Sequence, residues 1–415
     1  MFPEFEYEYV TYEELYKAYS DCRRHKWKTS NAAHFQVDLA KNLYQLWIDL
    51  NKGRYKIGRS IAFIVDKPVY REVFAADFRD RIVHHLLINR IIFAFEEEMI
   101  DNSFSCRKGK GTLYGIKTLE KEVNLITNGY KEKAYVLKCD LKSFFMTIGK
   151  DMLYHKIDNL IRNKVYNNDT KQYEFTTGLA KLIIHNCPQY DCIRKHEVKK
   201  WSLLPREKSL FNIPVTHGIP IGNLTSQIFA NYLLNDFDKF IYEELGFRYY
   251  GRYVDDFYIL SNNKDSLIKV IPRLKAKLSE IGAHLHPNKI YIQDINKGVQ
   301  FIGGIIKPNR TYITNRTIGN LKRFLVKKEI EFENKIITAN DIEKLVNGFN
   351  SYMGFLKHHA TYNIRKKIVL GHLMKPFLML CYFDKKYLIM RPFKEYSAFD
   401  KGLSITDAIQ IPLII

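Results

Sequence analysis

Asp255 and Asp256 are adjacent acids in the run Tyr249-Tyr250-Gly251-Arg252-Tyr253-Val254-Asp255-Asp256-Phe257-Tyr258-Ile259-Leu260. The aromatic and β-branched residues on either side read as strands, and the acidic pair falls where a tight turn belongs. Carboxylates crowded at a hairpin tip repel one another, and a bound divalent cation is the usual remedy. Asp also favours turns for its own sake, so the reading needs a second site. In Tyr135-Val136-Leu137-Lys138-Cys139-Asp140-Leu141-Lys142-Ser143-Phe144-Phe145 a short apolar strand ends at Asp140 and an aromatic pair follows. Mg²⁺ takes oxygen ligands and is usually held by one or two carboxylates plus substrate phosphates. Two such ions about 4 Å apart serve in-line phosphoryl transfer, with Mn²⁺ a workable substitute. Asp140 and Asp255 are expected to be shared metal ligands, Asp256 a more peripheral third acid, and the Leu141 carbonyl an extra ligand.

The elements around these acids follow from local pattern. Residues 1–55 read as helical. Residues 61–67 read as a strand stopped by Pro68, and 70–74 as a second strand. Asp77 is placed to cap a helix that opens near Phe78. The glycine-bearing basic loop Ser105-Cys106-Arg107-Lys108-Gly109-Lys110-Gly111-Thr112 has amides and cations suited to phosphate. Residues 159–213 carry no strong motif and read as a surface insertion. The turn-rich His217-Gly218-Ile219-Pro220-Ile221-Gly222-Asn223-Leu224-Thr225-Ser226-Gln227 leads into an apolar helix over 228–240, whose N-terminal amides suit an anion. A helix over 264–281, strands over 285–290 and 299–306, and a helical stretch over 315–374 complete the pattern.

The chain has 415 residues, enough for two or three subdomains. It carries 65 Lys+Arg against 45 Asp+Glu, a net +20, and this positive field matches a nucleic-acid partner. The 28 Tyr and 27 Phe, interleaved with cations, add surfaces on which bases stack, although most must be core. No stretch reaches the roughly 18 apolar residues of a membrane span. The six scattered cysteines form no disulfide framework, which suits a reducing cytoplasm. His185, Cys187, Cys192 and His196 match no common zinc-finger spacing. His84 and His85 are expected to pack within a helix.

These blocks, in this order, resemble the reverse transcriptases over residues 60–365. The resemblance implies an α+β right-hand polymerase of fingers, palm and thumb, with an antiparallel palm sheet and a helical thumb. It implies this layout: 1–60 helical extension, 61–133 fingers, 134–158 first palm segment, 159–213 insertion, 214–310 second palm segment, 311–375 thumb, 376–415 tail. Asp140, Asp255 and Asp256 match the palm acids. Phe145 matches the bulky gate that would clash with a ribose 2′-hydroxyl. Lys289 matches a lysine held to protonate the pyrophosphate leaving group. Phe301-Ile302-Gly303-Gly304 matches the primer grip, and Lys67 and Arg71 match cations that contact the triphosphate. Ile221 and Gln227 are expected beside the nucleotide. Arg81, Arg107, Lys108 and Lys110 are candidates for template phosphates.

Many relatives carry Gln-Gly…Ser-Pro where this chain has Ile221-Gly222 and Ser226-Gln227. That departure resembles the reverse transcriptases of diversity-generating retroelements, which copy a template RNA with errors at adenines. A branched aliphatic at Ile221 lacks the hydrogen bonds of Gln, and roughly 1–3 kcal/mol of discrimination per lost polar contact would go with them. The subgroup implies a cytoplasmic enzyme of bacterial or phage origin, dNTPs, a cDNA/RNA hybrid, a structured RNA and a small helical accessory protein. The 159–213 segment and the tail keep a phage-defence relative open as an alternative. A silent RNA-binding scaffold is the reading from another class.

Overall fold

The computed structural model describes residues 5–24, 29–66, 69–166, 169–196 and 198–393. Lys67 lies outside the described residues, as does the tail beyond 393. The chain divides into two compact units. The first comprises residues 1–112 and 137–292, the second 113–136 and 293–415.

The first unit opens with helices Tyr12–Arg23, Ser30–Val37 and Leu39–Asn51. Thr11 and Glu14 form a reciprocal capping box at the first of these. β1 (Ser60–Val65) alternates buried and half-buried residues and pairs antiparallel with β2 (Arg71–Ala75), with Phe63 opposite Val73. Asp77 caps the long helix Phe78–Glu98 by accepting from the Arg79 amide at 3.0 Å, as its position in the sequence predicts. Arg90 of that helix is buried and donates to Glu14, Gln172, Thr176 and the Tyr9 carbonyl.

β3 (Tyr135–Asp140) contributes four consecutive buried residues to a four-stranded sheet. β4 (Cys192–Arg194) pairs parallel with β1. The segment 159–213 is therefore more than a surface insertion: it adds an edge strand, a helix at Thr170–His185, and Leu210 to a core with Ala62, Phe74 and Met146. The buried Glu72 carboxylate seals that core by accepting from Ser209 Oγ and the Leu210 amide.

β5 (Tyr250–Tyr253) and β6 (Asp256–Ser261) form the expected antiparallel hairpin. With β7 (Tyr291–Asp294) they complete the sheet, in the order β5-β6-β3-β7. The expected single helix over 228–240 is instead Leu224–Leu233 followed by Asn235–Lys239 and a π turn. The expected strand over 285–290 reduces to one bridge, Leu141 to Leu285, because Pro287 opens a 3-10 turn through Lys289.

The second unit holds β8 (Val299–Phe301), β9 (Gly304–Lys307) and β10 (Arg310–Ile313), an antiparallel meander. The expected strand over 299–306 turns back at Ile302-Gly303, both at positive φ. Helices Asn315–Glu333, Ala339–Leu356 and Tyr362–Val369 pack around Leu321, Leu345, Phe349 and Met353. Two short strands, β11 (Cys381–Phe383) and β12 (Met390–Pro392), close it. Among the described residues no helix is long and apolar enough to cross a membrane.

Candidate active site

The hairpin between β5 and β6 has a two-residue turn, Val254-Asp255, with Tyr253 opposite Asp256. Val254 sits at φ +58°, a left-handed conformation that a β-branched residue resists. The turn is held from beneath. Arg252 is fully buried, donates from Nη1 to the Val254 carbonyl at 3.0 Å, and forks onto the equally buried Asp238 carboxylate. The same guanidinium reaches Asn231 Oδ1 at 2.7 Å and Ser103 Oγ at 3.2 Å.

Asp140 ends β3 beside this turn. The Leu141 amide donates to the Asp255 carbonyl at 3.0 Å, and the His286 amide donates to the Asp140 carbonyl at 2.7 Å. The second contact brings in the 3-10 turn at 287–289, and Lys289 Nζ lies 3.0 Å from Asp140 Oδ1. Burial, then the charge of Asp140, pushes the Asp255 carboxyl up to about 6. Arg71 pulls it back in part. Asp256 goes elsewhere: it is ion-paired with Lys138, a buried residue two positions before Asp140 on the same face of β3. Burial raises the Asp256 carboxyl and lowers the Lys138 ammonium, while each partner opposes the other's shift.

Phe145 and Ile221 pack against one cluster, that of Ala62, Phe74, Met146 and Leu210. Backbone bonds fix both. The Ile219 amide donates to the Phe145 carbonyl at 3.0 Å, and the Phe74 amide to the Ile221 carbonyl at 2.8 Å. Gly222 is required at this crossing: at φ +123°, a Cβ there would come within 2.9 Å of the Phe74 carbonyl oxygen. Gln227 is exposed, and its Oε1 accepts from Cys106 Sγ at 3.3 Å.

The four candidates for template phosphates have different surroundings. Arg107 is 5% exposed; it is paired with Glu96 and bonded to the Ile100 and Ser103 carbonyls, so it braces the loop from inside. Arg81 donates to the Ala76 carbonyl at 2.8 Å, and Lys110 is tied to Asp101. Lys108 alone of the four is exposed without such a tie among the described residues. His84 packs as expected: burial drops its pKa to about 3, and Thr225 Oγ1 lies 2.8 Å from Nδ1. Phe301, Gly303 and Gly304 belong to the second unit, where Phe301 of β8 pairs with Gly304 of β9 and Gly303 lies in the turn between them.

Lys138, Arg252 and Asp238 were not singled out from the sequence. The available signal was a lysine inside an otherwise apolar strand and an arginine within the aromatic strand run 249–253, positions that a charge occupies only when paired.

The α+β architecture with its acidic sheet turn is that of a right-hand polymerase. A family model described as reverse transcriptase (RNA-dependent DNA polymerase) matches residues 65–306, and the chain belongs to that family. Among solved structures it is similar to apo telomerase from Candida tropicalis truncated of its C-terminal domain, at 14% identity over 61% of this chain and 55% of that one, TM-score 0.45. It is also similar to telomerase from Candida albicans in complex with a fragment of telomeric RNA, at 11% identity over 72% and 53%, TM-score 0.41. The chain thus spans about half the length of these structures. No curated protein matches it in sequence.

Reverse transcriptases use divalent metal ions, and the donors here suit one. Asp140 and Asp255 offer hard carboxylate oxygens whose charges act on each other, the situation a divalent cation relieves. Asp256 is engaged by Lys138, and among the described residues no three His, Cys, Asp or Glu side chains converge as a metal cluster.

Proposed function

We propose that this protein is an RNA-directed DNA polymerase that makes cDNA by nucleotidyl transfer, using Asp140 and Asp255 as its metal-holding pair. The observation that carries the reading is the juxtaposition of Asp255 with the end of β3, where Asp140 and Lys289 meet. Magnesium, or manganese in its place, would supply charge neutralisation and a lowered hydroxyl pKa at the primer terminus. Asp256, held by Lys138, tunes the field rather than binding first. Lys289 gives up its ion pair with Asp140 to hold a proton toward the leaving phosphate. Phe145 closes the floor under the sugar and excludes a 2′-hydroxyl. Arg71 faces the triphosphate. Residues 61–133, 134–158 with 214–310, and 311–375 would serve as fingers, palm and thumb, with 301–304 gripping the primer.

The finer reading is an error-prone polymerase of the diversity-generating type, working on a structured template RNA with a helical accessory protein. Its support is Ile221, an aliphatic side chain at the nucleotide floor beside Phe145. The test is cDNA synthesis on a defined RNA with Mg²⁺, with Asp255→Ala as control, followed by deep sequencing. Asp255-dependent product with substitutions concentrated at template adenines supports both levels. Accurate product retains the polymerase and moves its role toward phage defence. No product, even with native flanking RNA, leaves the RNA-binding scaffold.

A further inference from the structure

The second unit contains a polar cavity of about 260 Å³ between the helix Thr112–Ile126, the turn leading into β10 and the residues after Leu356. Four basic side chains line it: Lys117, Arg310, His358 and His359. The single acid in the lining, Glu120, accepts from Thr311 Oγ1 at 2.7 Å. Arg310 is anchored over the Tyr312 ring and spends one Nη2 contact on the Ala360 carbonyl at 3.3 Å, which leaves most of its five N–H donors for a ligand. His359 Nε2 is buried without a hydrogen-bond partner among the described residues. A buried polar nitrogen in that condition is rare in folded proteins. Burial also lowers the His359 pKa, so the ring is neutral at pH 7 and Nε2 can carry one hydrogen to donate.

The charge balance and the orphaned donor call for an anion. No Phe, Tyr or Trp ring is part of the lining, so the cavity offers no broad platform on which a base would stack. The matching chemistry is a phosphate presented without its base. Location narrows the source. Ile116, part of the cavity wall, stands 3.1 Å from where a Cβ on Gly304 would lie. Phe355 stands 3.3 Å from the same point on Gly303, and its ring is 5.3 Å from that of His359. The cavity therefore backs directly onto the β8–β9 turn.

We propose that this cavity is a phosphate site that takes one phosphodiester of a bound nucleic-acid strand, with Arg310 and His359 as its principal donors. The proposal rests on the polymerase reading above and assigns it a second-unit anchor. The test uses the full chain with selectively labelled histidine. A 20-base-pair RNA–DNA hybrid and, separately, inorganic phosphate are titrated while the His359 imidazole signal is followed. Binding of the hybrid is then measured against salt for the wild type and for Arg310→Gln.

The expected result is that the hybrid shifts the His359 signal. Arg310→Gln then weakens binding about five- to tenfold and reduces the magnitude of the log–log salt slope by roughly 0.7–0.9, the loss of one neutralised phosphate. A shift with inorganic phosphate but none with bound hybrid would overturn the strand assignment in favour of a free-anion site. Unchanged His359 signal and unchanged Arg310→Gln slope, in a protein that still binds hybrid and makes cDNA, would overturn the proposal and leave the polymerase standing. A wild-type chain that neither binds hybrid nor makes cDNA would remove both.

Discussion

Arg252 and Asp238 face each other with neither side chain exposed, and the guanidinium that grips the carboxylate also holds the carbonyl of Val254. The turn carrying Asp255 is thus anchored by a charge pair buried in the sheet. Removing one partner strands the other. Arg252→Met is expected to cost about 3–5 kcal/mol in urea denaturation, and the double variant Arg252→Met/Asp238→Leu should recover much of it. Equal losses in single and double variants would refute coupling through this pair.

Gly222→Ala should damage activity out of proportion to its size. The added methyl meets the Phe74 carbonyl and Val73 Cγ1, so the contact that seats Ile221 must shift. A displacement near 1 Å at a reacting site costs roughly 10²-fold in rate. Gly178→Ala, which places its methyl in open space within a helix, should leave synthesis unchanged and raise stability by about 0.5–1 kcal/mol. Primer-extension rates for both variants decide the matter.

On the proposed role of Phe145 as the sugar gate, Phe145→Ala would open the space beneath the sugar. The ratio of kcat/KM for dNTP over rNTP should fall by at least about tenfold, the effect of losing a packing clash worth 1–3 kcal/mol. Single-nucleotide incorporation measures it. An unchanged ratio would place the sugar gate elsewhere.

On the proposed placement of Ile221 beside the nucleotide, Ile221→Gln would supply a hydrogen-bonding side chain there. Substitutions at template adenines should drop in sequenced cDNA while total yield holds within a few-fold, for the polar contact is worth about 1–3 kcal/mol. An unchanged adenine spectrum would separate Ile221 from fidelity.

Asp341 makes acid sensitivity testable in the second unit. Burial pushes its carboxyl up, but Lys335 and the Thr338 side chain and amide outweigh that and hold it at about 2. A depressed carboxylate contributes stability that is present above the unfolded value near 3.9 and lost as pH falls through the folded one. The Tm difference between wild type and Asp341→Asn should therefore be largest above pH 4 and shrink toward pH 2. At neutral pH the loss is about 1 kcal/mol, the size of a helix cap.

Much of the active-site frame was legible because it is local. The Asp255-Asp256 hairpin follows from alternating aromatic and β-branched residues around a turn, and the Asp77 cap follows from an acid before a helical run. The apolar pattern over 285–290 suggests a strand, but Pro287 lies between Leu285 and Ile290 and decides for a turn. The apolar run over 299–306 suggests one strand, but Ile302-Gly303 is the tip of a hairpin. Arg107, a candidate for template phosphate, is bonded to carbonyls a few residues away, a pairing that no local pattern announces.

The residue order by itself determined which side chains are available and which short segments become strands, turns and helices, since those depend on backbone preference and period over a few neighbours. It placed Asp140 at a strand end and Asp255 in a turn. Only tertiary structure decided that Lys138 neutralises Asp256, 118 positions away, that Lys289 reaches Asp140, and that Leu210 from the 159–213 segment completes the core beneath Phe145. Such pairings are set by burial: a charge taken out of water needs an opposite charge wherever the fold brings one, and no local pattern encodes that partner.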